Sequence, residues 1–163
     1  MSTPRIIESQ PLTREAFAPF GDVICTEGAA SFPINAGRTE RFHALAAVET
    51  LGQGADAIIS IFRGQPLEPL IVELMERHPQ GSQAFMPLGE VAYWVVVAPA
   101  GAFDPALIQV FRAGPGQGVN YHAGTWHAPL LPIGRDADFL VVDRRGPGDN
   151  CDTVNLDPPV QLA

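Results

Sequence analysis

Four histidines, His43, His78, His122 and His127, carry most of the acid–base and metal-binding capacity of this chain. An imidazole exchanges protons near neutrality, and its unprotonated nitrogen is a good metal ligand. His122 and His127 lie with Asn120 in one glycine-rich stretch, GPGQGVNYHAGTWHAP, at residues 114–129. As a plain turn, that stretch would use its histidines only to cap carbonyls. The second constellation is Glu76 and His78 in ELMERHP, which leave the same face if the chain there is extended. Converging histidine and carboxylate donors suit zinc, nickel, iron or manganese, provided that three or more meet and leave a position open. Glu76, His78, Gln83 and His127 are the candidates.

Other chemistries find less support. No lysine occurs among the 10 basic residues, all of them arginine, so Schiff-base chemistry and a phosphate-loop lysine are excluded. There is no GxSxG elbow, and Ser82 in PQGSQ reads as a turn residue. Cys25 and Cys151 lack CxxC spacing and a neighbouring histidine, as expected of ordinary thiols in the cytoplasm. The glycines of GPGQG lack the strand and helix that a dinucleotide fingerprint requires. Arginine forks two hydrogen bonds onto a carboxylate; Arg63, directly after the apolar run IISIF, is the candidate anchor for an acidic substrate, with Arg38 and Arg41 behind it.

The elements that must position these groups read as strands. Residues 58–62, 83–88, 91–98, 107–112, 138–144 and 153–156 are short runs rich in β-branched and aromatic residues. Turn residues bound them, which predicts a β-sandwich or small barrel. Thr13 is placed to cap one short helix from Arg14 to Phe17. Residues 70–78 fit either a helical stripe or a strand; three flanking prolines, Pro66, Pro69 and Pro79, favour the strand. The strand directs Leu70, Val72, Leu74, Glu76 and His78 to one face. Residues 1–163 read as one domain, with no repeat or linker. A net charge of −8 opposes nucleic acid and anionic membrane surfaces, and no apolar run approaches a membrane span. An apolar share of 46% in a β-domain of this size favours pairing of subunits.

The blocks PLTREAFAPFGDVI, INAGRTERFHALA, ISIFRGQP, ELMERHPQGSQAFMPL, GVNYHAGTWHAPLLPIG, DFLVVDRRG and DNCDTVNL resemble, in order, those of the ureidoglycolate lyases. The most specific are ERHPQGSQAF and NYHAGTWHAPL. The resemblance implies a mainly β, cupin-like barrel of the jelly-roll type with few short helices, a homodimer, and cleavage of ureidoglycolate to glyoxylate and urea. It also implies a divalent metal, nickel, and no organic cofactor. Against the cupin metal pattern, Glu76 and His78 stand at the HxH pair, Gln83 stands at the glutamate, and His127 is the second-motif histidine. On this resemblance His78, His127 and Glu76 are expected to be catalytic, and Arg63, Gln83, Asn120 and His122 to bind substrate. An amidohydrolase that releases ammonia, and a cupin that binds a small acid without turnover, are the alternatives.

Overall fold

A computed structural model describes residues 2–163. In chain order the elements are β1 (Arg5–Ile7), β2 (Ser9–Pro11), α1 (Arg14–Phe17), β3 (Gly21–Ile24), β4 (Phe32–Ile34), β5 (Thr39–Arg41), β6 (Asp56–Gly64) and β7 (Ile71–Arg77). They continue with β8 (Gln83–Pro87), β9 (Tyr93–Ala98), a 3-10 turn (Pro105–Leu107), β10 (Gln109–Ala113), β11 (Gly118–Tyr121), β12 (Trp126–His127), β13 (Leu131–Pro132), β14 (Ala137–Arg145) and β15 (Asp152–Leu162). The larger sheet runs β1-β15-β7-β12-β9-β10-β2, with β13 also on β9; the second runs β3-β11-β8-β14-β6. β4 and β5 form a separate hairpin. The fold is thus mainly β and barrel-like.

Two cores hold it. Between the sheets pack Phe17, Phe85, Val95, Val97, Phe111, Val119, Phe139 and Val141. Another core, with Val72, Met75, Val96, Ala98, Trp126, Leu156 and Val160, takes residues of β7 and the alternate residues of β9. This explains why Val95, Val96, Val97 and Ala98 are all buried: a strand covered on both faces reads as a continuous apolar run. The expected strand at 70–78 is β7, but Val72, expected on the face of Glu76 and His78, packs with Met75 in the second core, because the pairing with β15 shifts register between Val72 and Leu74.

Thr13 does cap α1, its Oγ accepting from the Ala16 N–H at 3.2 Å, and Pro19 stands two residues beyond Phe17, where the helix ends. The expected strand ends shift elsewhere. Leu107 closes the 3-10 turn, which Asp104 caps, so β10 starts only at Gln109. The short run at 153–156 extends to Leu162, because β1 and β7 pair along it and Pro158 and Pro159 fall where the pairing lapses between Asn155 and Val160. The supposed loop at 114–129 contains β11 and β12. No helix among the described residues is long and apolar enough to cross a membrane.

Candidate active site

Register sets the site. Glu76 on β7 is paired with His127 on the neighbouring β12. From the opposite sheet, Tyr121 on β11 stacks flat on the His127 ring, centroids 4.2 Å apart and planes 1° from parallel. Tyr121 is paired in turn with Gln83 on β8, and Gln83 Nε2 donates to Asp143 Oδ2 on β14 at 3.1 Å. One layer at one end of the barrel therefore holds Glu76, His127, Tyr121, Gln83 and Asp143, with His78 just beyond the end of β7.

The hydrogen bonds of this layer fix its protons. His78 Nδ1 lies 2.7 Å from the Asn150 carbonyl, and His127 Nδ1 lies 3.1 Å from the Ala128 carbonyl. A carbonyl only accepts, so each Nδ1 carries the hydrogen and each Nε2 bears a lone pair. Both Nε2 atoms, and Gln83 Oε1, are buried without a partner. The rings of His78 and His127 are 5.2 Å apart, and His78 Nε2 is 3.8 Å from Glu76 Oε1. One ligand atom each from Glu76, His78 and His127 lies within 4.8 Å of the others.

Burying acceptors unpaired is costly, and the cost is offset when a ligand meets them. Two imidazoles and a carboxylate, each ring oriented through its other nitrogen, form a donor set that fits a divalent transition metal. Burial, and then the neighbouring His78 ring, push the His127 pKa down to about 3, against the opposing pull of the Ala128 carbonyl. His127 is therefore neutral at physiological pH, its Nε2 lone pair free to accept or to ligate. Burial raises the Tyr121 pKa, and the Glu76 carboxylate raises it further. Burial chiefly, then Glu76, also raises that of the Cys151 thiol.

Three expected substrate contacts lie elsewhere. Arg63 forks onto Asp138 at 2.8 and 3.0 Å, with its side chain 74% exposed. Alternation turns Phe62 inward against Phe85 and Arg63 outward. Asp143 aligns with Ile58, so Arg63 lies five residues farther along β6, roughly 17 Å at the usual strand rise. Asn120 sits between the inward Val119 and Tyr121 and points the other way, donating to Asp22 Oδ2 and to the Ala47 carbonyl, both at 3.1 Å. The His122 ring joins that outer group, its Nε2 3.2 Å from Asp22 Oδ2.

Sequence reasoning missed Tyr121, Asp143, Asn150 and Cys151. Asp143 had a signal, as the acid that ends the apolar run DFLVV. Asn150 acts through its backbone carbonyl, which no residue type announces.

Comparison with known proteins gives one consistent result. The family model described as ureidoglycolate lyase matches residues 4–163. Among similar curated proteins, each named ureidoglycolate lyase, one from Burkholderia cepacia is 54% identical over 159 residues, covering 96% of this chain and 90% of the relative. One from Stutzerimonas stutzeri (strain A1501) is 55% identical over 160 residues, with 97% and 94% covered. One from Pseudomonas entomophila (strain L48) is 57% identical over 150 residues, with 91% and 90% covered.

Proposed function

The chain belongs to the ureidoglycolate lyase family, and from that premise we propose that it cleaves ureidoglycolate to glyoxylate and urea at the layer built by Glu76, His78 and His127. The reaction makes it a carbon–nitrogen lyase of allantoin and purine catabolism. The observation that carries the site is the pair of buried imidazole lone pairs facing one carboxylate.

Ureidoglycolate is a hemiaminal. Removing its hydroxyl proton lets the carbonyl of glyoxylate form as the carbon–nitrogen bond breaks, and the departing nitrogen takes up a proton to become urea. The step consumes no water and balances with one proton moved from oxygen to nitrogen. Glu76 is suited to move it: Oε1 faces His78 Nε2, while Oε2 is 3.9 Å from Cys151 Sγ, near the exposed side. One oxygen can belong to the buried group while the other accepts the hydroxyl proton and returns it. His78 and His127 orient, each with its lone pair fixed inward. Glu76, His78 and His127 would hold a divalent ion, with Gln83 beside them. Nickel is the ion the resemblance implies, and when bound it supplies Lewis acidity toward a substrate oxygen. Binding of the substrate carboxylate does not fall to Arg63.

We take residues 1–163 as one lyase domain, acting in the cytoplasm, in keeping with free Cys25 and Cys151. A homodimer is supported by β6, an edge strand whose outward Ile59 and Ile61 are 73% and 62% exposed. Its ends carry the pairs Asp56–Arg145 and Arg63–Asp138, so a two-fold axis near Ser60 sets each pair against the other in a second copy. Sedimentation should give a dimer that Ile61→Glu dissociates; a wild-type monomer at micromolar concentration would refute it. For the reaction, purified protein should yield glyoxylate and urea in equal amounts. Ammonia released without urease would point to the amidohydrolase, and binding without turnover to a non-catalytic cupin.

A further inference from the structure

Gln83 is 5% exposed and its amide has two unlike ends. The NH2 end donates to Asp143 Oδ2 at 3.1 Å, and the oxygen end is buried without a partner. A carboxylate offers acceptors only, so it selects which end of the amide faces it. The flipped amide would set oxygen against oxygen. Tyr121, paired in register with Gln83, stacks on His127, so the amide belongs to the same layer as the two unpaired histidine nitrogens. A glutamate at position 83 would meet Asp143 as a like charge, whereas glutamine meets it as a donor.

Building on the metal-fitting group described above, we propose that Asp143 is a positioning residue: it turns the Gln83 amide so that its oxygen is offered beside Glu76, His78 and His127 as a fourth, uncharged donor to a divalent cation. The pair Gln83 and Asp143 then works as a unit. Changing either alone spoils it, and a reciprocal exchange restores it, because an asparagine in place of Asp143 can donate to a carboxylate in place of the Gln83 amide.

The test is the affinity of the folded, metal-stripped protein for Ni²⁺ and Zn²⁺, measured by competition with a chromogenic chelator. Thermal melts of the same samples check folding. Asp143→Asn should weaken binding by about tenfold or more, the usual effect of losing a partner that orients a ligand. Gln83→Glu alone should gain nothing, because two carboxylates then meet. The double variant Gln83→Glu with Asp143→Asn should bind more tightly than either single variant. A merely structural Asp143 would lower the melting temperature of the Asp143→Asn variant and of the double variant alike, and would show no such recovery. Wild-type affinity in Asp143→Asn, a double variant no tighter than Gln83→Glu, or wild-type protein that takes up neither ion would each overturn the proposal. Turnover to glyoxylate and urea without ion uptake would overturn it while leaving the lyase reaction standing. Ammonia as the product would remove the reaction, while the ion affinities would still decide the role of Asp143.

Discussion

Asn120 and Tyr121 are neighbours on β11, and they look into two different worlds. Outward, Asn120 finds Asp22 and the Ala47 carbonyl, and Asp22 also serves His122. Inward, Tyr121 lies against His127 in a layer where two imidazole nitrogens and an amide oxygen have no partner. Both regions contain a histidine, an amide and a carboxylate. The outer one spends its donors on itself and so ties the covering chain to the sheet, leaving one isolated atom, Asn120 Oδ1, buried without a partner. The inner one uses one atom of each group to aim the other atom into the barrel. Buried acceptors without partners are rare in folded proteins, and their convergence separates a site from a structural cluster of the same composition.

That contrast breaks most readily at Glu76. Glu76→Gln keeps the shape and removes the base, so kcat for glyoxylate formation should fall by about 10²–10⁴-fold; an unchanged kcat would move the chemistry out of the inner layer. The second prediction concerns acid. Unfolded, His127 takes up a proton near pH 6.5, but folded only near pH 3. Between those values the unfolded chain holds more protons, so stability is lost as pH falls from about 6.5 towards about 3, by an amount on the order of several kcal/mol. Melts of metal-free protein should show this loss, and His127→Gln should flatten it; parallel curves would remove the buried neutral ring as its cause.

On the outer side, Asn120→Ala deletes two hydrogen bonds and should cost on the order of 1–3 kcal/mol by denaturant titration. Its kcat should stay near the wild-type value, and a large drop in kcat without a stability loss would reverse the roles of the two regions. The smallest effect is expected at Arg63. Its fork onto Asp138 lies on the outer face of β6, away from the inner layer. Arg63→Ala should leave KM where it was, and a raised KM would return it to the substrate.

These positions also show where the sequence was legible. Along β7 the alternation placed Glu76 and His78 on one face, because prolines ruled out a long helix and left period two as the readable signal. On β11 the same logic had nothing to grip. Its four residues are buried on both sides, so polarity could not tell that Tyr121 faces in and Asn120 faces out. β6 was ambiguous for a related reason: Ile58 and Phe62 on one face and Ile59 and Ile61 on the other are all apolar, and the side on which Arg63 falls depends on that choice. The glycines at 114, 116, 118 and 124 suggested a loop, but Gly118 starts a strand, where an added Cβ would meet Met86 Sδ and the Phe85 carbonyl at 2.7 Å. Family resemblance supplied the cupin frame and the pairing of Gln83 with the histidines, which local pattern could not.

β15 lies between β1 and β7. A chain emerging from the ribosome therefore cannot finish the larger sheet until β15 is free: before then β7 has an open edge on one side, and β1, made well before β15, has nothing to join. Arg5 must wait for Val160 and Ile7 for Leu162, across nearly the whole sequence. Such long-range pairing slows folding. The strand that bears Glu76 gains its second neighbour only once β15 has been made, so a chain halted before then would expose a sticky half-sheet rather than release a partly working enzyme.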